Sequence, residues 1–157
     1  MEIQDNLSQW TLRTVIELSS TERDVTDAVR RFDSFIENLQ VDSNTTFNLQ
    51  VAFHEALSNA VQHGNKADPS KCVVAECVAN DRMMRICVAD EGEGFNPKAV
   101  AEMATDPYRE RGRGLFLISN LMDEVSYNEK GNAISMVKFR LQPASEQQDG
   151  NDHCKVL

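Results

Sequence analysis

Three short runs hold residue types that could do chemistry together. The first, E-A-L-S-N-A-V-Q-H-G-N over Glu55–Asn65, spaces Glu55, Asn59 and His63 four apart. On an α-helix that spacing lines one face, where a carboxylate and an amide oxygen could share a hydrated divalent cation and its phosphates. A solvated polar stripe would look the same. The second, D-E-G-E-G-F over Asp90–Phe95, follows an apolar run. Asp90, leaving a strand, would be a partly buried carboxylate able to accept a hydrogen bond from an exocyclic amine, and Gly92 and Gly94 would let backbone approach a flat ligand. A plain turn after a strand uses the same residues. The third, R-G-R-G-L over Arg111–Leu115, opens a helix. Gly112 and Gly114 leave amide N–H groups bare near its N-terminus, and Arg109, Arg111 and Arg113 add positive charge, which makes an anion site or, taken alone, a flexible hinge. Taken in order, the three supply a metal site, an adenine contact and a phosphate cradle.

The elements that must position these runs follow from periodicity. Thr11–Leu18 reads as a first strand. A helix begins after it, with Ser19 and Glu22 as a capping pair and Val25, Ala28, Val29, Phe32, Ile36 and Leu39 as its buried stripe. Asp42-Ser43-Asn44 supplies caps for a second helix over Thr46–His63, which buries Phe53, Ala56, Leu57, Ala60 and Val61 and stops at Gly64. Lys71–Ala79 and Arg82–Asp90 form a hairpin turning at Asn80-Asp81. Glu91–Gly114 reads as a long loop, Leu115–Met122 as a helix, and Glu124–Tyr127 with Ile134–Leu141 as a last hairpin. The order β-α-α-β-β-loop-α-β-β is that of an α+β sandwich, with three helices on one face of a mostly antiparallel sheet.

Composition narrows the partners. The 157 residues fit one domain, expected over 1–142, with a polar tail over 143–157 expected to be disordered. A net charge of -9 argues against direct nucleic-acid binding and favours a basic protein surface. The N-terminal residues lack the pattern of a signal peptide, and no apolar run is long enough for a membrane span, so the expected location is cytoplasmic with no membrane partner. Cys72, Cys77, Cys87 and Cys154 fall at no metal spacing; the first three sit in strand-like runs and read as small buried apolar groups.

E-A-L-S-N-A-V-Q-H resembles the N-box of the GHKL ATPases, D-E-G-E-G-F their first glycine box and G-R-G-L their second. The run G-L-F-L-I-S-N-L-M-D-E-V, Gly114–Val125, is similar to the anti-sigma factor serine-protein kinase branch, and the resemblance extends from Leu12 to Leu141. It implies a two-layer α/β sandwich of the Bergerat ATP-binding type, with ATP and Mg2+ as cofactors. By position it makes Glu55 the general base, Asn59 the Mg2+ ligand and Asp90 the adenine partner. Gly92, Gly94, Gly112 and Gly114 become nucleotide-loop glycines and residues 96–111 a lid. His63, Phe95, Leu115 and the arginines Arg109, Arg111 and Arg113 lie in or beside the boxes and join the nucleotide-binding set. The pattern departs at the last strand, where relatives commonly have Gly-Thr and this chain has Gly131-Asn132, with Ser135 as the hydroxyl further along.

The implied activity is that of a serine/threonine-protein kinase in bacterial partner switching. Its substrate would be a small anti-sigma-factor antagonist protein, its sequestered partner a sigma factor or another protein, and its assembly a homodimer through the first strand and first helix. The alternatives are an ATP-gated binding module with little kinase activity, and a partner-switching kinase whose target is not a sigma factor.

Overall fold

Alternate residues point to opposite faces of a strand, and the burial pattern of the sheet follows that rule. In a computed structural model that describes residues 9–96, 98, 99, 102, 112–139 and 141, five strands form one sheet. They are β1 (Leu12–Ser19), β2 (Cys72–Ala79), β3 (Met83–Asp90), β4 (Glu124–Tyr127) and β5 (Ala133–Phe139), in the order β1-β2-β3-β5-β4. All four pairings are antiparallel. Ile16, Leu18, Val73, Ala75, Cys77, Met84, Ile86, Val88, Ile134 and Met136 are buried on one face. The registers place Glu76, Cys87 and Ser135 together on the other.

Among the described residues three α-helices cover the buried face: α1 (Glu22–Glu37), α2 (Ser43–Asn59) and α3 (Arg113–Leu121). The predicted α+β sandwich with three helices on one face is the fold observed. Phe32 of α1 and Phe53 of α2, both fully buried, stack with ring centroids 3.9 Å apart at the centre of the core. Ile118 anchors α3 to the same core. Asp42 caps α2 as expected, its Oδ1 accepting from the N–H groups of Asn44 and Thr45 at 2.9 Å.

Several local expectations are corrected. Ser19 belongs to β1, and the cap of α1 is Thr21, whose hydroxyl oxygen accepts from the Asp24 N–H at 3.2 Å. The β2–β3 turn is centred on Asp81-Arg82, because Asn80 still pairs with Met83 through its own N–H. Cys77 is buried, whereas Cys72 is exposed at the start of β2. The second helix does not run regularly to His63. It leaves α geometry at Asn59 and closes through one π turn, Ala60–Gly64, with the Asn65 N–H donating to the Ala60 carbonyl at 2.8 Å. Such turns shift the chain's phase and are frequent at functional sites. The proposed tail over 143–157 lies outside the described residues.

Candidate functional site

The π turn is what carries the N-box to the sheet. It brings Gly64 against the end of β3, so closely that an added Cβ would lie 2.6 Å from Asp90 Oδ1. Gly92 packs against the Gly64 carbonyl and the same carboxylate, with an added Cβ 2.7 Å from Oδ1, and its N–H donates to that oxygen at 2.7 Å. Asp90 is half-buried, and burial pushes its carboxyl above the usual carboxylate range against the opposing pull of the Gly92 N–H, Lys130 and Lys71. A half-buried carboxylate beside two adjoining glycines suits a flat heterocycle bearing an amine.

Upstream on α2, Glu55 and Asn59 are both half-buried and one helical turn apart. The start of α3 lies directly against them. An added Cβ on Gly114 would meet Glu55 Oε2 at 2.5 Å and Asn59 Nδ2 at 3.4 Å. The first and third runs of the sequence therefore meet. Gly112 precedes α3 in left-handed conformation, φ 103°, which a residue without a Cβ adopts freely. Phe116 is the first residue of the helix to bond back, to the Gly112 carbonyl at 2.9 Å. The N–H groups of Arg113, Gly114 and Leu115 thus have no intrahelical partner and lie at the positive end of the helix dipole.

The remaining predicted residues divide. Arg113 is exposed at the first position of α3. The Leu115 side chain packs on the hydrophobic core, so only its backbone faces the site. Gly94 and Phe95 interlock with the β4–β5 turn: Gly94 has φ 77°, and the Phe95 ring meets Tyr127 edge-on at 5.5 Å. His63 lies in the π turn, off the α-helical phase of Glu55 and Asn59, with its side chain exposed. Ser135 is not part of the site. Strand alternation turns it to the sheet face away from the helices, where it accepts from Cys87 Sγ at 3.5 Å. Arg109, Arg111 and most of the 96–111 lid lie outside the described residues.

Two asparagines that the sequence reading named without a role hold the backbone around Asp90. Asn65, fully buried, accepts from the Glu91 N–H at 2.9 Å and donates to Ser20 Oγ and the Cys72 carbonyl at 3.0 and 2.9 Å. Asn132 donates to the Asp90 carbonyl at 2.8 Å. For Asn65 the only hint in the sequence was an amide directly after the glycine that ends a helix.

Residues 18–138 match the sequence profile of the histidine kinase-like ATPase domain. The serine-protein kinase RsbW of Staphylococcus epidermidis is 38% identical over 102 residues, 57% of this chain and 63% of that one. The anti-sigma F factor of Oceanobacillus iheyensis is 33% identical over 112 residues, 67% and 77% of the two chains. This chain belongs to the anti-sigma-factor kinase family of histidine kinase-like ATPases. The match thus spans less than two thirds of the length of the staphylococcal relative. A crystal structure of the RsbU and RsbW domains of a Mycobacterium tuberculosis protein overlays 87% of this chain and 34% of that one at TM-score 0.55 and 17% identity, which supports the fold alone.

The site's residues fit the nucleotide and cation that a histidine kinase-like ATPase implies. Gly64, Gly92 and Gly114 let Asp90, Glu55 and Asn59 approach backbone so closely that any side chain there would displace these polar groups. The donors near α3 are one carboxylate and one amide, and the described residues hold no cluster of three or more His, Cys, Asp or Glu. That donor set suits a hard cation such as Mg2+, which keeps waters and binds chiefly through phosphate oxygens. No helix among the described residues is long and apolar enough to cross a membrane.

Proposed function

We propose that this chain is an ATP- and Mg2+-dependent serine/threonine-protein kinase and anti-sigma factor. In this reading it phosphorylates a small anti-sigma-factor antagonist, sequesters a sigma factor or a comparable protein, and works in the cytoplasm as a homodimer. The single observation that carries the reading is the contact of Gly114 with Glu55 and Asn59, because a base, a cation ligand and a phosphate-holding helix N-terminus would have to lie side by side in this way. The names of the staphylococcal and Oceanobacillus relatives supply the substrate and partner classes.

Phosphoryl transfer needs positioning and charge neutralisation more than covalent chemistry. Bound Mg2+ would supply charge neutralisation on the phosphates, with Asn59 as its protein ligand. The α3 N–H groups and Arg113 hold phosphate oxygens at the positive helix end. Asp90 accepts the exocyclic amine of the base and so fixes the far end of the nucleotide. Glu55 accepts the proton of the partner's serine or threonine hydroxyl as its oxygen bonds to the γ-phosphorus and the bond from that phosphorus to the bridging oxygen of ADP breaks, ADP being the leaving group.

The test is transfer of labelled γ-phosphate from Mg-ATP to candidate antagonist proteins, with Glu55→Ala and Asn59→Ala beside the wild type. The expected result is transfer that both substitutions abolish while Glu55→Ala still binds nucleotide. Wild-type transfer by Glu55→Ala would remove its role as base. Nucleotide binding without transfer, beside an antagonist shown to be functional, would make the chain an ATP-gated binding module.

A further inference from the structure

Asp90 is the last residue of β3, where it still pairs with Val73 of β2. The β3–β5 ladder closes at Ala89 and Ala133, after which the Asp90 N–H still reaches the Asn132 carbonyl at 2.9 Å. Beyond that bond, the peptide joining Asp90 to Glu91 is gripped by side chains. Its C=O accepts from Asn132 Nδ2 at 2.8 Å, and its N–H donates to Asn65 Oδ1 at 2.9 Å. These are the two polar ends of one planar unit.

We infer that Asn65 and Asn132 form a clamp on the Asp90–Glu91 peptide and are the positioning residues that aim the Asp90 carboxylate at the base, an inference that rests on reading Asp90 as the adenine partner. A peptide plane held at both its oxygen and its hydrogen cannot rotate without breaking both bonds, so the backbone torsion of Asp90 is set, and with it the place of Gly92, whose N–H holds the Asp90 Oδ1 at 2.7 Å. Both jaws are themselves held. Asn65 spends its amide hydrogens on Ser20 Oγ and the Cys72 carbonyl, tying the clamp to the end of β1 and the start of β2. Asn132 Oδ1 accepts from Asn128 Nδ2 at 2.8 Å, and Asn128 Oδ1 in turn accepts from the N–H groups of Gly131, Asn132 and Ala133 at 2.9, 3.0 and 3.1 Å. One jaw therefore belongs to the π turn side and the other to the β4–β5 turn.

The clamp also explains the departure from Gly-Thr. A threonine hydroxyl at position 132 is shorter than the asparagine amide that spans the gap to the Asp90 carbonyl. Here the side chain is directed at backbone, which leaves recognition of the amine to the carboxylate.

The test compares affinity for Mg-ATP with affinity for purine riboside triphosphate, which lacks the exocyclic amine, in the whole chain. Asn132→Ala is expected to weaken ATP about ten-fold, the equivalent of one hydrogen bond to a charged group, while the amine-less analogue changes less than about two-fold. In an Asp90→Asn background, Asn132→Ala should add nothing further, because it acts through Asp90. Asn65→Ala should behave likewise if it folds; Asn132, half-exposed in a turn, decides the question if it does not. Equal losses for both nucleotides would mean a merely structural role and overturn the clamp, as would no loss for either. An Asp90→Asn protein with an unchanged ATP-to-analogue ratio would sink the adenine reading itself, and the clamp with it.

Discussion

Replacing Gly114 by alanine separates catalysis from stability more cleanly than any other single change in this molecule. Gly114 is the second residue of α3 and its φ is not positive, so alanine fits the backbone and gains up to ~1 kcal/mol of helix propensity, less in a first turn. The new methyl, however, would sit 2.5 Å from Glu55 Oε2, where ordinary contact begins near 3.4 Å. About 0.9 Å must be found. The helix cannot readily supply it, since Ile118 is fully buried and Leu115 packs on the core. The carboxylate can, by rotating away. A displacement of about 1 Å in a positioned catalytic group costs on the order of a hundred-fold in rate, or ~2.7 kcal/mol of barrier. The expected outcome is phosphate transfer lowered about a hundred-fold, a urea midpoint within error of the wild type or above it, and nucleotide affinity changed only a few-fold. Transfer at the wild-type rate by a folded Gly114→Ala protein would refute the argument, because it would show that Glu55 does not have to be where the structure holds it.

Burial raises the Asp90 carboxyl above its usual range, so the folded state binds that proton more tightly than the unfolded state. The stability cost is absent below the unfolded value near ~3.9 and fully present above the raised folded value. Asp90→Asn should therefore hold or raise Tm at pH 7, with a difference from wild type that shrinks as pH falls through the carboxylate range, while ATP affinity drops; a lower Tm at pH 7 would contradict this. Phe53→Ala, which removes a fully buried ring stacked on Phe32 at 3.9 Å, should cost about 3–5 kcal/mol in urea unfolding. A loss below ~1.5 kcal/mol would mean that α1 and α2 close over the gap.

What the sequence made legible was whatever depends on local period. The alternation of β2 and β3, the 3–4 stripe of α1 and the Asp42 cap are each written within a few residues, and each was placed within two or three positions. The errors have a common source in register and phase. Ser135 was chosen for its hydroxyl, yet its neighbours Ile134 and Met136 are the buried residues of β5, so alternation alone already turned Ser135 outward. His63 was counted on in steps of four from Glu55, and the π turn after Asn59 broke the count. No side-chain pattern announces a π turn, since it is a response to what the helix end must touch. Asn65 and Asn132 received no role because their bonds to the Cys72 and Asp90 carbonyls and the Glu91 N–H are to backbone, and backbone partners leave no trace in residue type.

That same π turn explains why the site's two ends belong together. Glu55 and Asn59 sit on the last regular turns of α2, and Gly64 touches Asp90 only five residues after Asn59. Had the helix continued regularly through those five residues, each would have advanced ~1.5 Å along the α2 axis, in step with Glu55 and Asn59. The wider turn instead returns the chain through Asn65, whose buried amide reaches β1, β2 and the end of β3 at once. In the proposed reading, the Asp90 carboxylate is thereby tied through protein hydrogen bonds to the helix end that follows Glu55 and Asn59. Preorganisation of that kind is where an enzyme dependent on positioning must spend its folding energy. It predicts that destabilising the Asn65 hub should loosen base recognition before it touches the contact between Gly114 and Glu55, which rests on the separate packing of α3 against α2.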